Sequence, residues 1–388
     1  MAKEDFAARK LKLQENLQAA MKVEHFTIPP YLCALYSIEE GTNVAAAAVI
    51  QSVVMEEMLH MVLVANMLNA IGGKPVVNTR DYLPKYPNPL PLPYKDHEKP
   101  FIVRLGKLSH EAVATFMDIE RPKRNGDTQM SIGKFYDELR EEFTKLYRED
   151  ATQLFTGKPE DQVTSEHYYG GAGRLWPIIA KGKCLKDSIE VVKRAIEEII
   201  DQGEGHDESI YDANKRVRPA GTPLAILRSH RDPARETVAG GSTEAYRQTT
   251  FSGDEEPAHY YRFKEIHVGR YYGPDDKPCP CESNDKCKCG PTGPELPIRW
   301  NAVYDMIPDP EADHYPEGTP IREKLDAFDR CYKRLLDRLQ EGFNGNPNVF
   351  VGAVGEMHEM KYRAVELMRI PTGKGDTMVG PRFEWIDG

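Results

Sequence analysis

The 388-residue chain carries a formal net charge of −10, with 40% hydrophobic and 29% charged residues. This is the balance of a globular protein with enough apolar material for a full core. The acidic surplus, without a long basic run, argues against nucleic acid as a partner. The first residues, MAKEDFAARKLKLQEN, lack the apolar stretch of a secretory signal, and Cys33, Cys184 and Cys331 are scattered rather than paired in a framework. A reducing, cytoplasmic setting is the expectation.

A first helix is predicted from Asp5 to about Ile38. Its apolar seam runs Leu13, Leu17, Met21, Glu24, Ile28, Tyr31, Leu35, Ile38, with one acidic residue on the stripe. Pro29 and Pro30 follow by about a turn and should kink or break the helix there. A glycine turn around Gly41 leads to a long apolar segment, Val44 to Gly72. There the seam Ala46, Ile50, Val53, Glu57, His60, Val64, Met67, Ile71 buries a carboxylate and an imidazole side by side. Such burial costs several kcal/mol or so without a partner. Gln51, Glu56, Glu57, His60, Asn66 and Asn69 interrupt the segment, so it is not expected to span a membrane. Glu24 and Glu57 stand equally far from the hairpin centre, so in antiparallel helices they come level.

Residues 73–186 read as a long crossover inserted into a unit spanning 1–272. Its first part is proline-rich and extended. Ser109 caps a short helix ending near Glu120, and Ser131 caps another running to about Phe155. Tyr168 to Gly173 matches no phosphate loop and reads as a loop over a site. Asp187 and Glu190 form a capping box for a third core helix, whose stripe Ile189, Val192, Ile196, Ile200 ends on Glu204 between Gly203 and Gly205. A fourth core helix starts around Pro257, with the stripe Glu256, His259, Phe263, Ile266. A Cys- and Pro-rich loop covers 273–297. An extension, 298–388, carries two helices, about 321–340 and 348–369, and packs on the bundle.

The chain therefore contains two halves, Glu24 with Glu57-x-x-His60 and Glu204 with Glu256-x-x-His259. This is the ligand set of carboxylate-bridged di-iron and di-manganese bundles. Four carboxylates balance two divalent cations and can bridge them, and each neutral imidazole fills one further position. A spacing of three keeps Glu and His on one helical face. A single such pair is weak; two, each with a lone seam Glu in the same helix order, point to a dinuclear metal site.

The order of these residues resembles the ferritin-like superfamily. The wording TIPPYLCALYSI, QSVVMEEMLHMVLVANMLNAIGG, QGEG and HYYRFKEI is similar to the ferritin-like domain of the iminophenyl-pyruvate dimer synthase family, which includes enzymes of violacein- and indolocarbazole-type pathways. The resemblance covers about residues 10–270. It implies an all-α four-helix metal core and oxidation or oxidative coupling of amino-acid-derived imines. Carried over by position, the implied metal ligands are Glu24, Glu57, His60, Glu204, Glu256 and His259. Two iron ions are the implied cofactor, with manganese as the alternative. The implied partners are a small-molecule substrate, an oxidase supplying the imine and a second copy in a homodimer; a membrane is not among them. The Cys-rich insert departs from the family pattern.

Other candidates have blander readings. Cys279, Cys281, Cys287 and Cys289 lie on a loop, where thiolate-bound zinc or copper(I) and two disulfides are both open. Glu56 is off the seam and reads as a surface or outer-sphere residue; Glu120 reads as a helix-end charge, with lining a pocket as the alternative. His206 stands near Glu204, and His358 reads as a surface residue. No catalytic triad or dinucleotide fingerprint is present, so no catalytic acid, base or nucleophile is named. A ferroxidase or iron store, and a scaffold with structural metal, are the rival readings.

Overall fold

The computed structural model describes residues 5–95, 98–122, 130–164, 185–205, 257–273, 276, 290–311 and 314–387. The described residues form helices and isolated bridges, without an extended strand: α1 Phe6–Ser37, α2 Val44–Ala70, α3 His110–Ile119, α4 Ile132–Leu154, α5 Leu185–Gly203, α6 His259–Val268, α7 Pro320–Phe343 and α8 Phe350–Leu367. This is an all-α architecture built on the α1–α2 hairpin.

The predicted seam of α2 is buried at every position from Ala46 to Ile71, including Glu57 and His60. Each fully buried aliphatic side chain contributes about 1.5–3 kcal/mol, so the register of the hairpin is strongly specified by its apolar stripe. By composition α2 is apolar and long enough to cross a membrane. In this fold it is instead a core helix, packed against α1, α5 and α6.

The proline pair does not break α1. Its helix continues through Pro29 and Pro30, because the freed backbone is met from outside. Pro30 has no N–H for the Phe26 carbonyl four residues earlier, and the Tyr86 hydroxyl donates to that carbonyl at 2.6 Å. The Tyr86 ring also packs on Phe26, with centroids 4.8 Å apart.

Ser109 and Ser131 cap α3 and α4 as expected, accepting from the Ala112 and Lys134 amides. The crossover helices are integral to the bundle: α4 packs against α1 and α5, and α3 against α6. Helix α5 begins at Leu185, so Asp187 lies inside its first turn rather than before it. Helix α6 begins at His259, with Ala258 as the capping residue, so Pro257 precedes the helix instead of opening it. Helices α7 and α8 form a hairpin against the outer face of α1, where Cys33 and Tyr36 join Phe328, Tyr332 and Met360 in a second apolar cluster.

Candidate metal centre

Five side chains converge in the bundle. Glu24 comes from the middle of α1, Glu57 and His60 from the middle of α2, Glu120 from the C-terminal cap of α3, and His259 from the first position of α6. They form two groups, Glu24–Glu57–His60 and Glu57–Glu120–His259; within each, the candidate ligand atoms lie within 4.8 Å of one another. Glu57 belongs to both. His60 Nδ1 is 3.1 Å from Glu24 Oε2 and 3.9 Å from Glu57 Oε1. His259 Nδ1 is 2.9 Å from Glu57 Oε1 and 3.6 Å from Glu120 Oε2. The two imidazoles stack with centroids 5.6 Å apart.

Each carboxylate is anchored by a hydroxyl. Tyr136 of α4 donates to Glu24 Oε1, Tyr31 of α1 donates to Glu120 Oε1, and Thr27 donates to Glu57 Oε2 at 2.9 Å. One oxygen of each carboxylate is thereby tied down. Burial and the neighbouring carboxylates hold both tyrosines well above the usual phenol range, so they remain donors. Tyr31 also closes an aromatic triangle with Phe116 and Phe263, at 4.7–5.2 Å between centroids, which seals the α1–α3–α6 junction.

The electrostatics favour cations. Burial and then the charge of Glu120 push the Glu57 carboxyl up to about 7, against the pull of the adjacent His259 imidazole. Burial alone would lower His60, but the hydrogen bond and charge of Glu24 with the charge of Glu57 raise it to about 9. His259 is raised in the same way: burial opposes, and the adjacent Glu120, Glu56 and Glu57 carboxylates prevail. Protons thus occupy the centre where a metal would compensate the same charge. The residues also fit a metal geometrically. His259 Nδ1 is buried and makes no aligned hydrogen bond despite the two carboxylates facing it. That is the disposition of a nitrogen directed at a shared cation rather than at a hydrogen-bond partner.

Glu204, the predicted fourth carboxylate, is buried but outside both groups. Its carboxylate lies over the first turn of α4, so close that a Cβ at Gly133 would stand 1.2 Å from Oε1. The positive end of the helix dipole favours an anion there. Its neighbour Gly203 faces the centre, since a Cβ there would stand 3.4 Å from Glu120 Oε2. Glu256 lies outside the described residues, as do His206, the Tyr168–Gly173 loop and Cys279, Cys281, Cys287 and Cys289.

Glu120 is the residue that reads, in the sequence, as a helix-end charge in preference to a pocket-lining role. Its signal is weak, because a lone Glu at a helix C-terminus has no periodicity to mark it. Of the two places open to Glu56, the structure shows the outer-sphere one: it is buried and contacts His259 Nε2 at 3.0 Å. A third group, Cys331–Glu356–Glu359, also gathers on α7 and α8, but Arg334 and Arg338 pair with its carboxylates. A cavity of about 1210 Å³ opens between α1–α2 and α7–α8, lined by residues such as Leu32, Met55, Met58, Leu339 and Val354. It includes none of the five clustered residues, so it lies on the side of the hairpin away from them.

The comparisons with known proteins agree with this architecture. The ferritin-like family model matches residues 17–220. A ferritin like protein from Caulobacter vibrioides is similar in structure, with a TM-score of 0.57 over 96% of this chain and 98% of its own, at 19% identity. At that identity the likeness is one of fold. No curated protein matches the sequence. The family match spans more than half of the chain and contains Glu24, Glu57, His60 and Glu120, and the chain belongs to the ferritin-like family.

Proposed function

We propose that this protein is a dinuclear non-haem iron oxidoreductase, with manganese as the alternative metal. Its substrate is a small amino-acid-derived imine, oxidised or oxidatively coupled in the manner of the iminophenyl-pyruvate dimer synthases. The observation that carries the reading is Glu57, whose carboxylate belongs to two histidine-containing groups at once. A bridging carboxylate between two cation positions has that placement.

When bound, such a metal pair supplies activation of O₂ or peroxide and takes up electrons. The chain's own residues do the rest. Glu24, Glu57, His60, Glu120 and His259 would hold the ions, with Glu204 and Glu256 as further carboxylates from the family pattern. Tyr136, Tyr31 and Thr27 fix the carboxylate orientations. The aromatic triangle of Tyr31, Phe116 and Phe263 excludes water from one side. The substrate's source is an upstream oxidase that forms the imine, and a homodimer is the proposed assembly.

The test is rapid mixing of anaerobic Fe(II)-loaded protein with O₂, with and without phenyl- or indole-pyruvate imines. Acceleration of the decay of the oxidised species by an imine, with product formation, is the expected result. A ferric mineral with many irons per chain and indifference to every imine would make the protein an iron store. Retention of metal without any reaction would make it a scaffold.

A further inference from the structure

The two histidines of the centre are backed by different chemistry. His60 Nε2 meets Gln202 Oε1 at 2.9 Å, and the Gln202 amide nitrogen donates to Glu198 Oε1 at 2.8 Å. That second bond fixes the amide with its oxygen toward the imidazole. His259 Nε2 instead meets Glu56 Oε2 at 3.0 Å. Glu56 is held in turn by Arg262 Nη1 at 2.8 Å, and Arg262 donates to the Pro257 carbonyl at 2.5 Å and to Ser52 Oγ at 3.0 Å. Glu56, Arg262, Gln202 and Glu198 are all buried.

With a cation bound, both arrangements would keep the ring N–H on Nε2 and free the Nδ1 lone pair, which in either histidine lies among the carboxylates of the centre, for the metal. They differ in donor strength. An N–H bonded to a carboxylate gives the imidazole more anionic character than one bonded to a neutral amide, and such outer partners change metal affinity by about 10–100-fold. Arg262 fixes the Glu56 carboxylate in place with a directed bond. The Glu56–Arg262 pair is neutral as a whole, so its effect on a metal reaches through the imidazole and not through long-range charge.

We propose that Glu56 is a positioning residue which, acting through His259, makes the cation position between Glu57, Glu120 and His259 the tighter of two unequal positions. The inference rests on the dinuclear reading above and deepens it.

The full-length metal-free protein is titrated with Co(II) under anaerobic conditions, followed by calorimetry and by the visible Co(II) spectrum. Wild type should show two binding events of unequal affinity. Glu56→Gln should weaken the tighter event by about 10–100-fold and leave the other in place. That event should be the one abolished by His259→Ala. Gln202→Leu should weaken only the second event, and Glu56→Asp should recover part of the loss. If Glu56→Gln fails to fold because Arg262 is stranded, Glu56→Gln with Arg262→Met is titrated in its place. Equal weakening of both events, or no change in either, overturns the proposal while the dinuclear reading stands. Failure of wild type to bind two Co(II) ions overturns the dinuclear reading itself, and the proposal with it.

Discussion

Glu204 fits where it does because residue 133 has no side chain. The Glu204 carboxylate occupies the space a Cβ at Gly133 would fill, at 1.2 Å from Oε1. Gly133→Ala should therefore expel the Glu204 side chain from the first turn of α4. The expected cost is about 1–3 kcal/mol, in the range of other overpacked sites. Urea denaturation of the variant checks it; unchanged stability would mean that the α4 terminus moves aside freely.

Glu57 and Glu120 should behave differently on truncation. Glu57 serves both groups and Glu120 one. Elemental analysis of Glu57→Ala after reconstitution with Fe(II) should show loss of both ions. Glu120→Ala should retain about one ion per chain. Equal iron content in the two variants and wild type would remove the case for this centre.

Tyr136 and Tyr31 each hold one carboxylate of the candidate centre, Glu24 and Glu120. Tyr136→Phe should leave the fold intact at a cost of about 1 kcal/mol for the lost hydrogen bond. It should weaken metal binding about tenfold by freeing Glu24. Competition with a coloured chelator measures the second effect, and thermal melting of the metal-free protein the first.

His25, next to Glu24 in sequence, turns away from the centre. It stacks on Tyr82 at 5.2 Å and meets the Tyr332 hydroxyl through Nε2 at 2.6 Å. Burial, with the nearby Lys22 charge, lowers its pKa from 6.5 to about 3. The unfolded chain takes up this proton near its ordinary pKa, whereas the folded one refuses it until about 3. This contribution to stability is therefore full above the unfolded value and is lost as pH falls between the two. At pH 5 the loss is about 2 kcal/mol. The stability gap between wild type and His25→Gln should narrow by that amount between pH 7.5 and pH 5 in urea titrations. A constant gap would refute the assignment.

The parts of this fold legible in the sequence are those with a period. The seam of α2 could be read because eight positions at helical spacing are all inward, and Glu57 and His60 stand out as polar residues on it. The level pairing of Glu24 with Glu57 follows from symmetry about a tight turn. Ser109 and Ser131 announce their helices through cap chemistry that acts within one turn. Glu120 had no such mark, since its role depends on α3 docking against α6, a contact between segments far apart in the chain. For Glu56 the sequence leaves a surface and an outer-sphere place open, and the structure takes the second, because the α2 face it occupies is covered by Arg262 and His259 from another helix. Pro29 and Pro30 do not end the helix, because the local rule is overridden by Tyr86.

That last contact has a consequence for the order of folding. The α1–α2 hairpin can assemble from neighbouring residues early, as low-separation contacts do. The turn just after Glu24, however, waits for a hydroxyl 60 positions downstream. Until the segment around Tyr86 docks, the carbonyl of Phe26 lacks a protein donor and the helix around it is open to water. Closing that loop carries an entropic cost before the contact is made. The turn that follows Glu24 should then become rigid only once this contact is made, and any agent that peels the crossover away from α1 should soften it before the bundle melts.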